Sequence, residues 1–275
     1  MPESRKPPGR TILEEIVESV RAALKEEERR VPLSEVRRRA ADAPPPRNFR
    51  EALARPQENG GEGDVRIIAE AKRASPSAGL LADSYDPAAL ARSFEGGGAA
   101  ALSILTEPRY FQGSLAHLTD VRNSVSIPVL RKDFTVDPYQ VYEARAAGAD
   151  AVLLIVRCLP NQEISDLRTL ARELGMAALV EAHTAEEVER AAACGADIIG
   201  INNRNLADFQ TDTETSIRLM EGIPEGCVKV AESGIHARAD VERLQEGGFH
   251  CFLVGEALMR APDPAAKVRE LRGKT

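Results

Sequence analysis

The chain has 275 residues, 43% hydrophobic and 29% charged, the balance of an ordinary globular protein, and a length that suits one large α/β-barrel domain or two small ones. Its 43 acidic against 36 basic side chains leave a formal charge of −7, which argues against nucleic acid or an anionic membrane as the main partner. A local cluster of Lys and Arg can still draw in a small anion.

In chain order, the start MPESRKPPGR is basic and proline-rich, with no apolar signal core behind it. No run approaches the roughly 18 to 20 apolar residues of a membrane span, so a cytoplasmic location is expected. Thr11 and Glu14 form a T-x-x-E capping box. Behind it Ile12, Leu13, Ile16, Val17, Val20 and Leu24 make an apolar stripe at helical spacing. A second helix is expected over Leu33 to Ala41, broken by the APPP of Ala43 to Pro46, and a third stretch runs from Asn48 to Ala54 into a flexible NGGEGD turn. These helices form an extension over residues 1–64 that caps the body of the protein, or lies as a lid over its site.

From there strand and helix alternate. Strands are expected near 66–72, 99–105, 128–132, 150–156, 177–181, 197–202, 228–232 and 251–255, and helices near 86–96, 114–123, 137–147, 160–174, 184–194, 213–221, 236–246 and 263–272. Runs such as AVLLIV, ADIIGI and CFLVG are apolar throughout, as in strands buried on both faces. Gly98, Gly148, Gly195 and Gly248 each close a helix and open a strand, the position past a helix end where a left-handed residue is wanted. Their separations of 50, 47 and 53 residues leave room for two strand–helix units of about 25 residues each. Eight such units favour a closed parallel (βα)8 TIM barrel over residues 65–275; a doubly wound open sheet is second, and no G-x-G-x-x-G follows the first strand.

Five of the apolar runs end in charged or amide side chains: IIAEAK, PVLRK, ALVE, IIGINNR and VKVAES. Period-two alternation puts Glu70 with Lys72, Leu130 with Lys132, and Asn202 with Arg204 on shared faces. Such groups at the ends of buried strands cost several kcal/mol in order of magnitude unless paired or met by a ligand. Glu70, Lys72, Lys132, Glu181, Asn202, Arg204, Glu232 and Ser233 therefore read as an active site at the strands' C-terminal ends, with a carboxylate and an ammonium tuning each other in Glu70-x-Lys72. Any one of them alone reads as well as an interior ion pair. Ser233-Gly234 and Gly255, followed by a short turn of helix from Glu256 to Arg260, suggest a phosphate pocket after the last two strands. The loop KRASPSAGLL brings Ser75 and Gly79 and is expected to be mobile over bound substrate. The four cysteines hold no C-x-x-C pair and read as reduced, largely buried thiols, and the four histidines show no ligand spacing, so no metal is expected.

The segments IIAEAKRASPSAG, SILTEPRYFQGS, PVLRKDF, ALVEAHT, GINNRNL, VAESGI and FLVGEALMR resemble the indole-3-glycerol-phosphate synthase family in order and spacing, over nearly the whole chain. That resemblance implies an eight-fold barrel with an N-terminal helical extension. It also implies a phosphorylated small-molecule substrate, 1-(2-carboxyphenylamino)-1-deoxyribulose 5-phosphate, closed to an indole with loss of carbon dioxide and water and without cofactor. By the same resemblance Lys132 is the general acid of ring closure, Glu181 its acid–base partner, and Lys72 the carboxylate-binding group and a proton donor in dehydration. Glu70 balances the lysines, Asn202, Arg204, Glu232 and Ser75 bind substrate, and Ser233, Gly234, Gly255 and the Glu256 amide hold phosphate. Ala257 stands where many relatives carry Ser. Asp133, on the opposite strand face from Lys132, is expected to be structural, and a monomer or weak homo-oligomer is expected. Other phosphate-binding barrels of the same pathway, a Schiff-base aldolase using Lys132 and an inactive phosphate-binding barrel are the rival readings.

Overall fold

The computed structural model describes residues 11–54, 65–205 and 210–274. The first ten residues, the NGGEGD turn and Leu206 of GINNRNL lie outside these. Among the described residues the eight expected strands are β1 (Arg66–Ala71), β2 (Ala101–Leu105), β3 (Val129–Lys132), β4 (Ala151–Ile155), β5 (Ala177–Ala182), β6 (Ile198–Asn202), β7 (Val228–Glu232) and β8 (Cys251–Val254). All pair in parallel with their sequence neighbours, and β1 also pairs with β8, so the sheet closes into a barrel. Closure leaves no sheet edge, and alternation sorts the side chains. Ile67 and Ala69 go to the outer shell under the helices, while Ile68, Leu130, Leu179 and Val230 fill the interior.

The outer helices start where local chemistry starts them. Asp86, Asp137 and Asp263 each cap a first-turn amide and are followed by proline, opening α4 (Pro87–Gly96), α6 (Pro138–Ala146) and α12 (Pro264–Leu271). Between them run α5 (Leu115–Ser124), α7 (Asn161–Glu173), α8 (Ala185–Ala193), α9 (Glu214–Leu219), α10 (Arg238–Glu246) and the short α11 (Glu256–Met259). The helix expected over 213–221 is shorter, because its last turn tightens into a 3-10 turn at Met220–Gly222. The four junction glycines have φ of 88°, 90°, 74° and 93°, the left-handed region their place past a helix end requires.

The N-terminal helices wrap the barrel from mouth to base. α1 (Ile12–Arg30) opens with the capping box: the Glu14 amide donates to Thr11 Oγ1 at 3.3 Å and the Thr11 amide to Glu14 Oε2 at 2.9 Å. Its Leu13 and Ile16 are buried at the mouth. α2 (Leu33–Asp42) packs on α6. α3 (Phe49–Leu53) drives Phe49 and Leu53 against Ile68, Ala101, Ile198 and Val228, plugging the barrel's N-terminal end. Arg47 clamps the link between α2 and α3. Its guanidinium donates to the carbonyls of Arg122, Val125 and Ile127 at 3.1, 2.6 and 2.7 Å, and its amide to the buried Asp150 at 2.7 Å.

Candidate active site

The inward-facing side chains at the C-terminal ends of the odd strands are Glu70, Lys132, Glu181 and Glu232, the layer of four that alternate barrel strands contribute. Lys132 Nζ lies 3.0 Å from Glu181 Oε2 and 3.7 Å from Glu232 Oε2. Lys72, just past the end of β1, places Nζ 2.7 Å from Glu70 Oε1, and Ser103 of β2 donates to the other Glu70 oxygen at 3.2 Å. From β6, Asn202 Nδ2 donates to Glu181 Oε1 at 3.1 Å. Three carboxylates therefore share two ammonium groups in a space that water barely reaches.

That imbalance sorts the protons. Burial raises the Glu181 carboxyl, but Lys132, His183 and Asn202 outweigh it and bring it down to about 2. Glu70 is also held below the usual range, because Lys72 and Lys132 overcome its burial. Glu232 goes the other way. Burial and the Glu181 carboxylate raise it well above the usual range, against the pull of Lys132. Burial disfavours the Lys132 charge, yet Glu181, Glu232 and Glu70 together raise its ammonium above the ordinary lysine value. The layer therefore favours a charged Lys132 with Glu70 and Glu181 as carboxylates, and Glu232 is the carboxyl pushed toward keeping its proton.

Small residues on the even strands make the layer possible. A Cβ on Gly200 of β6 would sit 2.1 Å from Glu232 Oε1, and one on Gly255 would sit 2.7 Å from Glu70 Oε1 and 3.3 Å from Lys72 Nζ.

All twelve site residues expected from the sequence line one open cavity of about 1160 Å³. Its apolar lining includes Leu13 and Ile16 from α1 together with Phe111 and Phe134, whose ring centroids are 6.1 Å apart. The same lining carries Ser233 and Gly234, consecutive left-handed residues with φ of 68° and 74°, and Gly255 at the start of α11. Arg204 Nη2 lies 3.8 Å from Glu256 Oε2. The loop after β1, expected to be mobile, is a tight hairpin pairing Ala74–Ser75 with Gly79–Leu80, its tip held by Ser75 Oγ accepting from the Ala78 amide at 3.1 Å. Asp133 points away from the cavity centre, accepting from Arg131 at 3.0 Å and from Thr106.

Several residues had no role in the sequence reading. Glu107 of the TEPRYF stretch accepts the amides of Arg109, Tyr110 and Phe111 at 2.9, 2.6 and 3.1 Å, setting the loop that carries Phe111. Ser103 orients Glu70, and His183 lies beside Glu181. Period-two spacing from Glu181 signals His183; nothing local signals Ser103. Among the described residues no group of three or more His, Cys, Asp or Glu side chains is placed to hold a metal ion, and no helix is long and apolar enough to cross a membrane. The four cysteines are unpaired, Cys194 and Cys251 buried.

The family model described as indole-3-glycerol phosphate synthase matches residues 13–271. The chain is 48% identical over 265 residues to the indole-3-glycerol phosphate synthase of Micrococcus luteus, covering 95% of this chain and 97% of that one. It is 46% identical over 253 residues to that of Rhodopirellula baltica, covering 92% and 95%. Among solved structures, a 3-hexulose-6-phosphate synthase superposes with a TM-score of 0.60 at 18% identity over 76% of this chain and 99% of that one. A thiamine phosphate pyrophosphorylase from Pyrococcus furiosus gives 0.59 at 19% over 77% and 96%. These structural likenesses speak for the barrel alone.

Proposed function

The chain belongs to the indole-3-glycerol phosphate synthase family, and from that premise we propose how its residues close the indole ring of tryptophan biosynthesis. The reading is of a cofactor-independent carbon–carbon lyase acting on 1-(2-carboxyphenylamino)-1-deoxyribulose 5-phosphate. The observation that carries it is Lys132, an ammonium 3.0 Å from Glu181, in a cavity lined by apolar side chains and by Ser233, Gly234 and Gly255.

The phosphate binds at Ser233, Gly234, Gly255 and the Glu256 amide, with Ser75 reaching from the hairpin; exposed backbone amides suit an anion. The phenyl ring lies against Leu13, Ile16, Phe111 and Phe134, and Lys72 receives its carboxylate. Arg204 and Asn202 position the chain between, and Glu232 meets its hydroxyls. In ring closure the ring carbon bearing the carboxylate attacks the carbonyl carbon. The carbonyl electron pair moves to oxygen, and Lys132 supplies its proton, stabilising the charge as it develops. Carbon dioxide then leaves, returning its bonding pair to the ring. In dehydration Lys72 protonates the departing hydroxyl, while Glu181 takes the C–H proton beside nitrogen. Two protons are given and one is taken, so each turnover draws one from solvent. Glu70 balances both lysines.

The test is indole fluorescence on adding substrate to the purified protein. Lys132→Ala should lose about 10²- to 10⁴-fold in kcat, the usual share of general acid catalysis, while still binding substrate. Parent-level turnover in that variant refutes the role of Lys132, and no indole product from the parent protein refutes the activity. A location in the cytoplasm, a monomeric or weakly associating state and the extension over residues 1–64 as one unit with the barrel of 65–275 belong to the same proposal.

A further inference from the structure

His183 has no task in that chemistry, yet it is buried beside the proposed base. It follows Glu181 by two residues, one past the end of β5, and its side chain is 5% exposed. Nε2 lies 3.6 Å from Glu181 Oε1 and Nδ1 lies 3.4 Å from Glu187 Oε2. Glu187 is itself fixed: it accepts the His183 amide at 2.7 Å and Arg157 Nε at 2.8 Å, and its own amide donates to Thr184 Oγ1 at 3.3 Å. The ring is thus wedged between a pinned carboxylate at the head of α8 and the carboxylate of the base. Both neighbours are acceptors, so a ring nitrogen that carries hydrogen aims it at a carboxylate oxygen. The separations exceed a hydrogen bond by a few tenths of an ångström, and catalytic contacts in unliganded sites commonly run long and close on binding.

The other two partners of Glu181, Lys132 at 3.0 Å and Asn202 at 3.1 Å, both line the cavity and turn to substrate in the proposed reaction. A buried carboxylate left without donors takes up a proton and stops being a base. We propose that His183 is a positioning residue that holds the Glu181 carboxylate in place and ionised while substrate occupies Lys132 and Asn202. The inference rests on the reading of Glu181 as the base.

Steady-state kinetics of His183→Leu, His183→Gln, Glu181→Gln and the double variant His183→Leu/Glu181→Gln test it. His183→Leu should lower kcat by about 10- to 100-fold, no more than the lower end of what the base it serves contributes, with KM within about twofold. His183→Gln, which keeps an amide donor, should recover all but about fivefold of the parent kcat. In the Glu181→Gln background, His183→Leu should cost less than about twofold, since it acts through a carboxylate already gone. Should His183→Leu fail to fold, Glu187→Gln loosens the ring from its other side and should lower kcat severalfold in the parent but not in Glu181→Gln. The inference is overturned by an unchanged kcat in the informative variant, by equal losses in both backgrounds, or by His183→Gln falling as far as His183→Leu. A parent that makes no indole product overturns the functional reading as well, whereas an active parent with an equally active His183→Leu overturns this inference alone.

Discussion

Replacing Glu232 with Gln should make the protein more stable, by an amount that grows with pH. Glu232 is 1% exposed, and neither carboxyl oxygen has a hydrogen-bond partner among the described residues. Its nearest cation, Lys132 at 3.7 Å, is closer to Glu181. Burial and the Glu181 charge therefore keep its carboxyl protonated well above the reference value of 4.5. In the unfolded chain it ionises near that reference value. Between the two values the native state holds one proton more than the unfolded state, so this group lowers stability by about 1.4 kcal/mol per pH unit as pH rises. Gln has nearly the same shape and no proton to lose, which removes the slope. Glu70 and Glu181, held below the usual range, work in the opposite sense, losing stability as pH falls, and largely cancel when variant and parent are subtracted. The chain has no Trp, so urea unfolding is best followed by far-ultraviolet circular dichroism at half-unit steps from pH 4 to 8.5. The variant's advantage should be smallest at the acid end, climb through the window above pH 4.5 and level off beyond the folded value. A difference that stays flat, or that grows toward acid, would show that Glu232 is ionised in the folded protein and would undo the sorting of protons in the layer.

Gly255→Ala places a Cβ 2.7 Å from Glu70 Oε1 and should split the Glu70–Lys72 pair, lowering kcat/KM by about 10- to 100-fold, as small misplacements of catalytic groups do. Unchanged kinetics would mean the pair is not part of the machinery. Arg47→Ala strands the carbonyls of Arg122, Val125 and Ile127 and should cost about 3 kcal/mol in urea unfolding, with kcat intact; a loss below about 1 kcal/mol would show the clamp to be redundant. Thr11→Ala removes the α1 cap, worth about 1 kcal/mol, and loosens the turn bearing Leu13 and Ile16. KM should rise by up to about fivefold at constant kcat, and an unchanged KM would take α1 out of the substrate wall.

Whatever depended on neighbours a few residues apart was legible before any coordinates. The Thr11–Glu14 capping box starts α1, glycine past a helix end turns the chain into the next strand, and period two puts Glu70 with Lys72 on one face. His183 was read only as a histidine without ligand spacing, because Glu187 reaches it only once α8 folds back over β5. The hairpin after β1 was expected as a mobile loop, since two pairs of residues carry too little periodicity to read as strands.

The chain's own order thus determined the eight strand–helix units and which side chains face inward, because backbone preference and hydrophobic period act over short stretches. Closure of the sheet decided the rest: that α3 stops one end and α1 walls the other, that Gly200 clears space for Glu232, and that of three buried acids Glu232 is pushed up while Glu70 and Glu181 are held down. Those outcomes depend on Coulomb energies and contacts between atoms a few ångströms apart that lie far apart along the chain, such as Lys132 with Glu181 at 3.0 Å, and no local pattern encodes a distance of that kind.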